Sequence, residues 1–88
     1  MRVRFRWTDY NLAKIARHRL SQREVEYAWA HRHGDDGFRH PRGRYYESFG
    51  PCPSGRIIKI VWRWLPGEDW NEVEVVYVIT AYGNWRKR

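Results

Sequence analysis

The chain has 88 residues, 42% of them hydrophobic, with 17 Arg and Lys against 10 Asp and Glu, a formal charge of +7 and a pI near 10.1. That length supports one small core and excludes a second domain, so residues 1–88 are read as a single unit. A lone cysteine, Cys52, excludes an internal disulfide, and no apolar run nears the roughly 20 residues of a membrane helix.

The first residues alternate Arg with apolar side chains and lack the apolar stretch of a signal peptide, so a cytoplasmic protein with no membrane attachment is expected. Of the 17 basic residues 14 are Arg, and residues 1–44 hold 11 Arg or Lys against 5 acids, whereas residues 45–88 hold 6 against 5. An Arg excess of this kind suits phosphate or carboxylate recognition, and its natural partner is a polyanion or an acidic protein. With 6 Trp, 6 Tyr and 3 Phe, the core must be built from a few large rings.

Residues 2–7 (RVRFRW) alternate Val3, Phe5 and Trp7 with Arg2, Arg4 and Arg6, the pattern of a half-buried strand. Thr8 is a helix N-cap, and Trp7 before it stands four helical positions from Leu12, as in a hydrophobic staple. A helix over 9–18 follows, with Leu12, Ile15 and Ala16 on its apolar face. Ser21 and Glu24 form a capping box, with Leu20 and Val25 as its staple, and open a second helix over 22–33 whose apolar face is Val25, Ala28 and Trp29.

The stretch GDDGFRHPRG, residues 34–43, has the Gly, Asp and Pro content of a loop, and Gly34 suits a helix stop. Residues 44–49 (RYYESF) form a strand, and GPCPSG a hairpin connection. Residues 56–65 put Ile58, Ile60, Trp62 and Trp64 on one face, with Lys59 and Arg63 on the other. After the turn PGEDWNE, residues 72–82 are apolar on both faces and suit an interior strand, and the chain closes with the basic Trp85-Arg86-Lys87-Arg88.

This order predicts an α+β fold in which two N-terminal helices pack on one face of a mainly antiparallel four-stranded sheet. The expected core is Phe5, Trp7, Leu12, Ile15, Val25, Trp29, Ile58, Ile60, Trp62, Val75 and Ile79.

Three segments, FRWTDYNLAKIARHRLSQREVEYA, SGRIIKIVW and VYVITAY, in this order and at these separations, resemble the BrnT family of bacterial type II toxins. The matching positions are Trp7 and Asp9 of the opening, Arg17-His18 before the second helix, and Gly55-Arg56 ahead of the long strand. The resemblance implies a RelE-like fold, ribonuclease activity and a BrnA-like antitoxin as partner. The chain departs from the family at Arg19, where a Gly is usual, at Tyr82, where the final strand usually ends in Arg, and in its shortened basic tail.

Cleaving RNA without a metal requires a base for the 2′-OH, cations for the charge on phosphorus and an acid for the leaving 5′-oxygen. His18, Arg44, Glu47, Arg56 and Tyr82 have the right chemistry for those roles, and Arg17, Lys59, Arg63, Arg86 and Lys87 for holding the RNA backbone. Each also has a structural reading. His18 caps a helix, Glu47 pairs across strands, Arg56 follows a turn into solvent, and Tyr82 packs at a strand end. Arg44 and Glu47 fall on opposite faces of a regular strand.

His31, His33, His40 and Cys52 lack the spacing of a zinc site, so no metal or other cofactor is expected. Two classes of function stand side by side: an endoribonuclease toxin, and a non-catalytic basic module that binds RNA or a protein. A monomer or loose dimer is expected without the antitoxin, because the Arg residues of the first strand oppose edge pairing.

Overall fold

In a computed structural model of the chain, residues 2–40, 43–65 and 73–83 are described. The elements run β1 (Arg2–Arg6), α1 (Asp9–Arg17), α2 (Gln22–Ala30), β2 (His33–His40), β3 (Gly43–Pro51), β4 (Ile57–Leu65) and β5 (Val73–Tyr82). Two helices pack on a five-stranded mixed sheet of order β1-β5-β4-β3-β2, in which β1 runs parallel to β5 and the other pairs are antiparallel. The expected turn at 66–72 and the basic tail lie outside the described residues.

Both helix starts form as their sequences dictate. The Thr8 hydroxyl accepts from the Asn11 N–H and the Asn11 amide oxygen accepts from the Thr8 N–H, while Ser21 and Glu24 make the same reciprocal pair on α2. His18 caps the C-terminus of α1, Arg19 follows in the left-handed region at φ 58°, and the Leu20 N–H closes the motif on the Ile15 carbonyl. This is a Schellman end with an Arg where glycine is favoured. It turns the chain so that Leu20 is buried and α2 starts at once.

The sheet differs from the expected four strands because residues 33–40 pair with β3 instead of looping. The segment has no apolar alternation to announce a strand. It is held by the β3 ladder and by side chains: Arg32 donates to Asp35, Ser48 Oγ donates to Asp35 at 2.6 Å, and Trp62 Nε1 donates to Ser48 Oγ at 2.9 Å. With His33 in that strand, α2 stops at Ala30 rather than at 33. β3 likewise runs on through Gly50 and Pro51, so the hairpin connection is shortened to 52–56, where the Cys52 N–H donates to the Arg56 carbonyl.

The core lies between the helices and one face of the sheet, with Ile15, Val25, Ala28, Ile58, Ile60, Trp62, Val76, Val78 and Ala81 essentially inaccessible. Phe5, Trp7, Leu12, Tyr46 and Trp64 are partly buried against it. Trp29 is the hub, meeting Phe5, Trp62 and Trp64 edge-on with centroids 5.3, 5.4 and 5.9 Å away, while the Arg32 guanidinium lies 3.9 Å from its ring centre.

Two core expectations and one helix-face expectation are corrected. Val75 and Ile79 are only partly buried, because β5 turns Val76 and Val78 inward and takes up one extra residue opposite Val61 and Trp62. Ala16 is exposed, and its place on the buried face of α1 is taken by Asn11. Asn11 is fully buried and donates to the carbonyls of Arg6 and Val78, so one amide ties β1, β5 and α1 together.

Candidate functional site

The end of the sheet where β5 finishes and β4 begins gathers four of the five residues singled out for chemistry. Tyr82 closes β5 directly opposite Lys59 of β4. The extra residue in β5 sets this placement: Val61 faces Thr80 but Trp62 faces Val78, so the phase of the strand reverses. Ala81 is thereby buried under the helices, and Tyr82 falls on the same sheet face as Lys59. Bulges commonly re-aim a side chain in this way.

The exposed His18 imidazole meets the Tyr82 ring at 4.8 Å between centroids, with the planes 66° apart. Lys59 Nζ lies 5.9 Å from the same Tyr ring and 3.2 Å from Glu47 Oε1 on β3. His18, Tyr82, Lys59 and Glu47 thus form a continuous run of side chains.

Arg56 stands at the mouth of β4 beside that run. Its Nη2 donates to Glu24 Oε2 at 2.9 Å, and its Nη1 lies 3.6 Å from where a Cβ on Gly83 would sit. Such a Cβ would also stand 3.0 Å from the His18 carbonyl oxygen, so the glycine after Tyr82 allows β5, the α1–α2 link and Arg56 to meet. The capping-box carboxylate therefore works at both ends: one oxygen accepts from the Ser21 N–H and the other orients Arg56.

The Ser21 backbone N–H is the main cause holding the Glu24 carboxyl below its ordinary value. Arg56 adds to that effect, and partial burial opposes it. At the same corner burial pushes the Cys52 thiol up and the Glu24 charge pushes it further, while Arg56 works against both. The half-exposed Arg56–Glu24 pair contributes little stability, on the order of 1 kcal/mol or less, and serves orientation.

Arg44 is not part of this group. It is exposed near the start of β3, five residues along the strand from the position facing Lys59, or about 17 Å. Arg17 is exposed in the last turn of α1, next to His18. Arg63 lies on the same sheet face as Lys59 but four residues further along β4. Arg86 and Lys87 lie outside the described residues. Among the described residues no three His, Cys, Asp or Glu side chains gather as metal ligands, and no helix is long and apolar enough to cross a membrane.

Sequence reasoning missed Glu24 as a member of the site. Its signal was there in a capping-box Glu, which needs only one oxygen for its cap. Comparison with protein-family models, with curated proteins and with solved structures finds no match to the chain.

Proposed function

We propose that the protein is an endoribonuclease that cleaves RNA at the end of its sheet without a metal. The observation that carries the reading is the meeting of His18 and Tyr82 beside Lys59, with Arg56 held in place by Glu24. Proton transfer falls to His18 and Tyr82. One takes the proton of the 2′-OH as its oxygen attacks phosphorus, and the other gives a proton to the departing 5′-oxygen, leaving a 2′,3′-cyclic phosphate. Arg56 and Lys59 stabilise the added negative charge on the phosphoryl oxygens.

The resemblance to BrnT toxins supports the same reading and adds a BrnA-like antitoxin as its inhibitor in the cytoplasm. Co-expression with an adjacent small reading frame tests that part, and the expected outcome is a complex that survives purification. Failure to form a complex at low salt counts against the antitoxin assignment.

A specific observation favours a second reading, a non-catalytic RNA-binding module. Arg56 is already paired with Glu24, and the β5 end carries Tyr82 where the resemblance leads one to expect Arg. Incubation with purified RNA in EDTA separates the two: cleavage supports the enzyme, and salt-sensitive binding with intact RNA supports the module.

A further inference from the structure

The sheet face away from the helices carries side chains that the cleavage site does not use. The register lines up Arg6 of β1, Tyr77 of β5 and Arg63 of β4 as neighbours on that face, and Tyr45 of β3 comes next. The Arg63 guanidinium lies 5.9 Å from the ring centres of both Tyr45 and Tyr77, so cation and ring alternate across four adjacent strands. A second row, Tyr82, Lys59, Phe49 and His33, crosses β5, β4, β3 and β2. Four residues of strand separate the rows, or about 13 Å.

Among the described residues, this face carries Arg4, Arg6, Lys59 and Arg63 against Asp36 and Glu47, so its charge is positive. Both helices pack on the opposite face, over Ile58, Ile60 and Trp62. Alternating planar rings and guanidinium or ammonium groups present stacking surfaces beside phosphate ligands, the pairing that single-stranded RNA offers and an acidic peptide does not.

We infer that this face, which neither described helix covers, is a stacking platform for single-stranded RNA, with bases on Tyr45 and Tyr77 and phosphates on Arg6 and Arg63, and that it leads the strand toward Tyr82. The inference rests on the reading that the ligand is RNA, but it does not need cleavage. A base-paired duplex cannot offer its ring faces to Tyr45 and Tyr77, so the platform selects unpaired strands.

The test is fluorescence anisotropy of the full chain with a short labelled oligouridine, an abasic ribose-phosphate strand of the same length and the corresponding RNA duplex, all 2′-O-methylated so that no 2′-OH is left to attack phosphorus, together with oligothymidine. Oligouridine is expected to bind about tenfold or more tightly than the abasic strand or the duplex. The Tyr45→Leu/Tyr77→Leu double variant loses that preference while keeping its affinity for the abasic strand. The Tyr45→Phe/Tyr77→Phe variant retains the preference, because the rings remain, and this guards against a folding defect being mistaken for lost stacking. Arg63→Gln weakens binding of every strand and flattens the salt dependence.

Equal binding of oligouridine and abasic strand, a preference that survives loss of both rings, or tighter binding of the oligothymidine or the duplex overturns the inference. Absence of binding to any strand overturns both it and the proposed function. Unmodified RNA that stays intact under the same conditions, together with base-dependent binding of the methylated strands, overturns only the nuclease.

Discussion

The imidazole of His18 meets the phenol of Tyr82 edge to face at 4.8 Å, and this contact joins the last turn of α1 to the last residue of β5. Packing and chemistry at this contact are separable. Tyr82→Phe keeps the ring and is expected to leave stability within about 0.5 kcal/mol of wild type while lowering the cleavage rate. Tyr82→Ala lowers both. Unfolding midpoints measured beside cleavage rates check the difference, and equal cleavage by the Phe variant assigns Tyr82 to packing alone.

Arg19→Gly is expected to stabilise the protein. Arg19 sits at φ 58°, where a side chain strains against its own backbone, and the Schellman end of α1 requires that geometry. After the greater chain entropy of an unfolded glycine is allowed for, the gain is roughly 0.5–1 kcal/mol in urea denaturation. A loss of stability would show that the Arg19 side chain makes a compensating contact.

Gly50→Ala is expected to be among the costliest single-methyl changes. A Cβ at Gly50 would overlap the Ala28 carbonyl and stand 2.8 Å from its carbon, so β3 and α2 would have to separate. The cost is at least about 2 kcal/mol. Gly34→Ala is the control: its Cβ meets open space and only its φ of +68° is strained, for about 1 kcal/mol. Equal losses at the two positions would contradict the close approach of α2 to β3.

Asp35 gives the fold an acid-sensitive point. Burial pushes its carboxyl up, but the hydrogen bonds from Arg32 and Ser48 and the Arg32 charge outweigh burial and hold it below the ordinary 3.8. A carboxyl lowered by folding contributes its stability fully above that value and loses it as pH falls through and below it. Wild type is therefore expected to exceed Asp35→Asn in stability at neutral pH, with the difference shrinking as pH drops below 3.8. Denaturation midpoints across acid pH measure this, and a constant difference would remove Asp35 from the acid response.

The elements whose signals are local were legible in the sequence. Thr8 and Ser21 start the two helices, and the alternation of Ile58, Ile60 and Trp62 gives the buried face of β4. β2 was hidden because HGDDGFRH has no apolar period, and its pairing depends on Asp35 reaching Ser48, thirteen residues away. In β5 both faces are apolar, so alternation could not choose between Val75 and Val76; the register with β1 and β4 decides. Asn11 was invisible as a core residue because its partners, the Arg6 and Val78 carbonyls, are set by the fold.

Residue type alone singled out His18, Glu47, Arg56 and Tyr82, and what it could not give is their placement at one end of the sheet: strand pairing brings Glu47 and Tyr82 to Lys59, and the end of α1 brings His18 to Tyr82. Arg44 lies apart from them, about five residues along β3 from the position facing Lys59, because a residue's type says nothing about its position along a strand.

The most direct test of the account is cleavage of a defined single-stranded RNA by purified protein in EDTA, comparing wild type with His18→Ala and Arg56→Ala and identifying the new 3′ ends. Wild type is expected to leave 2′,3′-cyclic phosphate ends. The rate should fall about a hundredfold or more in Arg56→Ala, as for a single electrostatic donor, and by a similar factor in His18→Ala. RNA that stays intact at every wild-type concentration, or Arg56→Ala and His18→Ala variants that cleave as fast as wild type, would contradict it.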